Sequence, residues 1–347
     1  MAEKVLLFVS SFDPYLLTDH LILLNGVKNK AFTRVNFLVK KDKTPFKEKE
    51  KLIKAAVDGL SGLTYSIEEY EELEKGIEKK RLEGSGDFYY LYAPILSIEE
   101  KKKLTASYKG LKEYSCGLED SLSQEEYLKR QEEIRLGRSF LLPLASIKVL
   151  LEEKMYFVPQ VLPYYKERRY QHCLRVGEVA FNIALKNHLD PYKAYLASYY
   201  HDITRAGAKL SYEKRAKEEE GQYFKNCEVP SWVLHQFTAP MLLKEEFHLE
   251  DEEVLEAIKY HTTGKKEMSW LGQVLYASDK IEPGRGYASS GLIEKMEENY
   301  QTGFKAVLEA NAEYLFERLG KDGMDDKLTE SCLAYYLKGD SRWTTIA

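Results

Sequence analysis

The periodicity of apolar residues changes once along this 347-residue chain, and that change constrains the fold more than any other feature. Up to residue 157, short apolar runs alternate with helical ones. Val5–Val9 and Val35–Val39 read as buried strands, Leu21–Val27 between them as a helix, and Phe88–Tyr92 as a further strand. Strand, helix, strand at that spacing marks a parallel sheet with helices on its faces. From residue 158 the strand signals fade. Val176, Val179, Ala180 and Ile183 recur at helical spacing, as do Val254, Ala257, Ile258 and His261. Pro159 and Pro163, flanking Gln160-Val161-Leu162, mark the boundary. The expectation is an α/β domain over residues 1–157 and an all-α helical bundle over 158–347, which suits domains of about 100–200 residues. Ser66–Arg81, dense in Glu and Lys, reads as a solvated helix face.

With 44% hydrophobic and 31% charged residues, the composition is that of a globular protein. No apolar run reaches the ~18–20 residues of a membrane span, and Val5–Val9 is too short for a signal-peptide core, so a cytoplasmic protein is expected. A net charge of −5 argues against a long nucleic-acid footprint. Cysteines 116, 173, 227 and 332 form no C-x-x-C pair, which points to buried free thiols and away from a cysteine zinc site.

The second half carries an unusual set of side chains. His172 begins a helix whose apolar stripe runs through Val176 and Val179. Ala194, Ala197 and Ser198 stand at helical spacing to His201, with Asp202 beside it. His261 extends the stripe Val254, Ala257, Ile258, and Asp279 follows Leu271 and Leu275 at four-residue steps. A lone inward histidine is usually a satisfied core residue; four helices directing imidazoles and carboxylates to one interior are not explained that way. A buried carboxylate is costly unless it is paired or coordinates a metal. Mixed nitrogen and oxygen ligands suit iron, manganese or zinc. Phosphate contacts would come from local cations: Arg168 and Arg169 before His172, Arg205 after the His-Asp pair, and Lys265, Lys280 and Arg285 further on.

The order His, His-Asp, Asp resembles the HD-domain metal-dependent phosphohydrolases. Tyr260-His261-Thr262-Thr263-Gly264, then Ala277-Ser278-Asp279-Lys280-Ile281-Glu282-Pro283-Gly284-Arg285, narrows the resemblance to the symmetrical diadenosine tetraphosphatases, which have a di-iron centre, over roughly residues 160–325. The resemblance implies that His172, His201, Asp202 and Asp279 hold one metal and that Asp202 bridges to a second, to which His261 belongs. It implies two divalent ions, iron first, a nucleotide substrate split into two ADP, and catalytic roles for Asp202 and Arg205. Substrate contacts are expected at Arg168, Arg169, Thr262, Gly264, Lys280 and Arg285, and a homodimer is a further expectation. One departure stands out. Where the family has a metal histidine before Ala-Pro, this chain has Thr238, and His235 one helical turn earlier is the candidate replacement.

Phe8-Val9-Ser10-Ser11-Phe12-Asp13-Pro14 resembles the start of the nicotinate-nucleotide adenylyltransferases, a Rossmann-like nucleotidyltransferase fold. The family's histidines that follow are replaced by Leu16, Leu17, Thr18 and Asp19, with His20 one residue out of step. Pro45-Phe46-Lys47, Leu91-Tyr92-Ala93 and Ser146-Ile147-Lys148 likewise keep the shape of family motifs and drop the reactive group. The expectation is a degenerate, catalytically silent domain. The alternatives are retained mononucleotide adenylyltransfer there, or a non-catalytic nucleotide-binding regulatory protein.

Overall fold

The structure is a computed structural model that describes residues 3–83, 88–115, 122–285, 289–319 and 326–338. Its contacts divide the chain into two compact units, Met1–Val158 and Pro159–Ala347.

The first unit runs β1 (Lys4–Ser10), α1 (Leu17–Lys28), β2 (Arg34–Lys40), α2 (Phe46–Val57), β3 (Thr64–Tyr70), α3 (Leu73–Glu83), β4 (Phe88–Tyr92), α4 (Ile98–Ser107), β5 (Leu111–Glu113), α5 (Gln124–Arg135) and α6 (Leu144–Glu152). The five strands form one parallel sheet in the order β3-β2-β1-β4-β5. The two-residue alternation of β1 explains why it sits centrally. Leu6 and Phe8 enter the core on one face with Phe37, while Val5, Leu7 and Val9 enter the core on the other with Leu91. From β1 the chain runs to β2 and β3 on one side, then crosses back to β4 and β5 on the other. That reversal opens a crevice at the carboxyl ends of β1 and β4.

Ser66–Arg81 is not one helix: its first residues belong to β3 and the rest to α3. β3 is an edge strand paired only with β2, so an acidic strand is tolerated, and Glu68 takes Lys79 at 2.9 Å together with Lys80.

The second unit is helical, as its apolar spacing requires. After the short α7 (Val158–Val161) come α8 (Glu167–Lys186), α9 (Pro191–Tyr200), α10 (Leu210–Glu220), α11 (Leu234–Glu246), α12 (Glu252–Lys259), α13 (Trp270–Ile281), α14 (Ser289–Glu298), α15 (Tyr300–Leu319) and α16 (Lys327–Tyr336). α8 lies against α9 at close range because Gly177 has no side chain; a Cβ there would meet the Tyr195 ring at 2.9 Å. No described helix is long and apolar enough to cross a membrane. Among the described cysteines, Cys173 and Cys332 are buried free thiols, whereas Cys227, in a polar turn, is exposed. Cys116 lies outside the described residues.

Candidate metal centre

Each ligand candidate is delivered by a helix with a clear start and stop. Asp190 caps α9, accepting from the Tyr192 and Lys193 amides at 3.0 Å, and α9 ends where His201 and Asp202 turn inward. Asp251 caps α12 in the same way. His261 lies in the turn just after it, and Gly264 at φ +71° completes the reversal towards α13, which Ser269 caps. α13 carries Asp279, α8 carries His172 and α11 carries His235. All six ligand candidates are buried.

Two groups of these side chains share Asp202, and a third, His201, His261 and Asp279, with ligand atoms within 4.8 Å of one another, links them. In the first, His172 Nε2 lies 3.1 Å from Asp279 Oδ1 and 3.9 Å from Asp202 Oδ2, and His201 Nε2 lies 3.5 Å from Asp202 Oδ2 and 3.7 Å from Asp279 Oδ1. In the second, Asp202 Oδ1 lies 3.1 Å from His235 Nε2 and 3.9 Å from His261 Nε2, and those two nitrogens are 3.1 Å apart. Ligand atoms each ~2.1 Å from one ion sit about 3–4 Å from one another, so both groups have the dimensions of a coordination shell.

The fit extends to proton positions. His201 Nδ1 donates to the Ser198 carbonyl at 2.6 Å and His261 Nδ1 to the Ile258 carbonyl at 2.7 Å. A carbonyl only accepts, so in the neutral ring each Nε2 turns a lone pair inward. His172 Nδ1 donates to Glu282 at 3.0 Å, and Glu282 is held by Arg175 at 2.7 Å and by the Gly284 amide at 2.6 Å. This is a carboxylate-backed imidazole of the kind that orients metal ligands. Among the described residues, the buried His201 Nε2 has no hydrogen-bond partner, as suits an atom that ligates an ion.

Electrostatics also call for positive charge here. Burial would raise the Asp202 carboxyl, but His201 and His235 hold it well below the carboxylate range. Asp279 is held down against burial by Lys280 and Arg285, then by His172 and His201. Burial, reinforced by His201 and His235, keeps His261 well below the ordinary histidine value, and therefore neutral. Against its own burial, Glu282 is brought to about 2 by His172, Arg175 and the Gly284 amide. His235 differs from the other rings. Its Nδ1 faces the Arg205 guanidinium at 2.8 Å and accepts from it, which puts the proton of the neutral ring on Nε2.

The two groups open into a cavity of about 490 Å³, lined also by Arg169, Arg205, Trp232, Thr262, Lys280, Arg285, Asn311, Tyr314, Leu315 and Arg318. Arg169 bonds Asp202 Oδ2 at 2.7 Å.

At the carboxyl end of β1 lies a cavity of about 460 Å³ lined by Ser11, Asp13, Asp42, Lys43, Leu128, Gln131, Glu132 and Arg135, and several side chains around the strand end bond one another. The α1 amide of Leu16 donates to Asp19 Oδ2 at 3.0 Å, and the Tyr127 hydroxyl donates to the same oxygen at 2.8 Å. Tyr127 also meets Ser10 Oγ at 2.9 Å. Ser11 donates to Gln131 at 3.0 Å, and Gln131 donates to the Pro14 carbonyl at 2.9 Å. Ser146 is tied to the Leu52 carbonyl at 2.9 Å. A helix N-terminus after a first strand is a natural anion site; here the Asp19 carboxyl occupies it.

A family model for the HD domain matches residues 169–284. The symmetrical bis(5'-nucleosyl)-tetraphosphatase of Staphylococcus aureus is 32% identical over 181 residues, covering 51% of this chain and 90% of that protein. The chain belongs to the HD-domain family. A protein of Mycoplasma genitalium described as a probable nicotinate-nucleotide adenylyltransferase/Ap4A hydrolase is 35% identical over 159 residues, or 45% of this chain. The chain spans 44% of that relative and 50% of its Mycoplasma pneumoniae counterpart. A crystal structure of a predicted HD superfamily hydrolase involved in NAD metabolism from Clostridium acetobutylicum is 26% identical, with a TM-score of 0.43; the match covers 53% of this chain and 98% of that one.

HD domains are metal-dependent, and the described residues hold histidine and aspartate clusters suited to a metal. The residues singled out from the HD sequence pattern separate cleanly in space. His172, His201, Asp202, His235, His261 and Asp279 come together, and Arg169, Arg205, Thr262, Lys280 and Arg285 line the cavity. Thr238 does not face the cluster; its hydroxyl bonds Thr204 at 2.8 Å. Arg168 is exposed and outside the cavity lining, because it points from the first turn of α8 away from the His172 stripe. Gly264 is a backbone requirement and not a ligand contact, since a Cβ there would meet Cys332 Sγ at 2.6 Å. Lys265 pairs with Glu256. Sequence reasoning missed the positioning role of Glu282, although it stands one turn after Asp279. It also missed Trp232, Asn311, Tyr314 and Arg318, which belong to no motif.

Proposed function

We propose that the second unit hydrolyses dinucleoside polyphosphates and cleaves diadenosine tetraphosphate symmetrically into two ADP. The observation that carries this is Asp202, whose two oxygens face two separate ligand groups at the base of a cavity rich in Arg and Lys. The names of the Staphylococcus, Halalkalibacterium and Bacillus relatives support the same substrate.

His172, His201, Asp202 and Asp279 would hold one divalent ion, and Asp202, His235 and His261 the other, with iron expected and manganese or zinc as alternatives. When bound, such ions supply Lewis acidity towards phosphoryl oxygens and a nucleophile from water near neutral pH. Phosphoryl transfer asks little covalent chemistry of the protein beyond positioning and charge. Arg169 fixes Asp202, Lys280 and Arg285 fix Asp279, and all three keep hydrogen-bonding capacity at the cavity for phosphate oxygens. Arg205 has a second task. While it donates to His235 Nδ1, the His235 lone pair faces away from Asp202; once phosphate draws the guanidinium off, the ring can reverse its tautomer and present Nε2 as a ligand.

We also propose that the first unit is a catalytically silent scaffold, since Asp19 and Tyr127 fill the place where transferred phosphates would be held.

The test is elemental analysis of protein purified without chelator, with ADP release from diadenosine tetraphosphate after iron or manganese loading. ADP as sole product with stoichiometric metal is expected. Substoichiometric metal after loading overturns the hydrolase reading, and release of ATP and AMP overturns symmetrical cleavage. Pyrophosphate release from ATP and nicotinate mononucleotide overturns the silent first unit.

A further inference from the structure

Polyphosphate recognition explains the cations of the cavity but not its aromatic rim. Among the described residues of the second unit, the strongly exposed aromatic side chains are Trp232, Tyr314 and Phe316, at 44%, 47% and 48% exposure. Two of these three line the metal-centre cavity. Exposed rings are normal when scattered. Two at one polar cavity, each linked through neighbouring residues to a different ligand group, need a reason.

Trp232 lies in the turn before α11, and its carbonyl accepts from Arg205, which also contacts His235. It is therefore tethered to the second ligand group. Tyr314 lies on α15. One turn earlier, Asn311 donates to the Tyr276 hydroxyl at 3.0 Å, the Tyr276 ring carries Lys280 Nζ at 4.7 Å from its centroid, and Lys280 bonds Asp279 at 2.7 Å. Tyr314 is thus tethered to the first group. Arg318 donates to the Tyr314 hydroxyl at 2.6 Å, with its guanidinium 5.9 Å from the ring centroid, so a cation stands beside that ring as well.

A ligand that matches this layout is anionic in the middle and flat and apolar at each end. A protein partner would ask for a contiguous apolar patch; these rings stand among guanidinium and ammonium groups. Resting on the dinucleoside polyphosphate reading, we propose that Trp232 and Tyr314 are the two nucleobase platforms of the cavity, with Trp232 stacking the base whose phosphates meet Arg205. Stacking uses the π-face that every base offers, so the platforms favour large purine rings over pyrimidines without choosing strictly between adenine and guanine.

The experiment uses full-length, manganese-loaded protein and measures binding of ADP, CDP and inorganic pyrophosphate by calorimetry. Pyrophosphate has the phosphates without the base and serves as the fold control. Wild type is expected to bind ADP more tightly than CDP and pyrophosphate. Trp232→Ala and Tyr314→Ala should each weaken ADP by about tenfold while leaving pyrophosphate within about twofold. Trp232→Phe and Tyr314→Phe should recover most of the loss, and the double alanine variant should bind ADP no better than pyrophosphate. A wild type without an ADP margin, an unchanged margin in the double variant, or equal losses for ADP and pyrophosphate overturns the proposal. Absence of ADP release from diadenosine tetraphosphate in wild type refutes the hydrolase reading instead, and the ADP margin still decides this one.

Discussion

Asp19 in the first unit and Asp202 in the second are both buried acids, yet their surroundings do opposite things. Asp19 sits at the start of a helix, takes the Leu16 amide and the Tyr127 hydroxyl on one oxygen, and has no cation beside it. Burial, opposed by those two hydrogen bonds, raises its carboxyl to about 7. Asp202 is surrounded by His201, His235, His172 and Arg169, and is held strongly ionised. The difference lies in where hydrogen bonds can end. In the first unit Asp19 Oδ2 takes its hydrogen bonds from other protein groups, although among the described residues Asp19 Oδ1 and the Tyr15 hydroxyl are buried without a partner. In the second, His172, His201 and His261 spend Nδ1 on Glu282 or backbone carbonyls and turn Nε2 towards carboxylate oxygens, while His235 Nδ1 takes Arg205, leaving an arrangement that asks for external positive charge.

The sharpest way to break this contrast is Asp202→Asn. Loss of the shared carboxylate should abolish both ADP release and most of the bound metal, measured by product chromatography and elemental analysis. Next, His235→Ala should remove the second ion and keep the first, whereas Thr238→Ala should leave the metal content intact. A metal loss in Thr238→Ala would show that the expected position still matters. Glu282→Gln should lower metal affinity by about 10–100-fold through misoriented His172, read by competition with a chelator.

The smallest effect belongs to Asp19. Its folded value lies above the ordinary 3.8, so the native state binds the extra proton between about 4 and about 7. Its contribution therefore makes stability fall as pH rises through that window and level off above it. Asp19→Asn should flatten that slope in thermal melts across pH; a stability that rises instead would mean that the helix N-terminus and Tyr127 outweigh burial.

Much of this contrast was legible from residue order. β1, β2 and β4 followed from apolar runs buried on both faces, and the inward direction of His172, His201, His261 and Asp279 from helical spacing. Ser66–Arg81 misled because a charged edge strand looks like a charged helix: only one neighbour and one open edge distinguish it. Glu282 was visible but uninterpretable, since its value depends on facing a ring 110 residues away. Arg168 and Arg169 are adjacent cations that sequence cannot rank; the turn of α8 places one on Asp202 and the other in solvent.

What sequence determined by itself is local: helix and strand periodicity, and the loss of the histidines that would follow Asp13-Pro14. What only the tertiary structure decided is convergence. That His235 and not Thr238 lies beside Asp202, and that Tyr127 lies on Asp19, depends on atoms brought within 3–4 Å from distant parts of the chain. Periodicity sets the face a side chain occupies, but its partner is chosen by the packing of helices against one another.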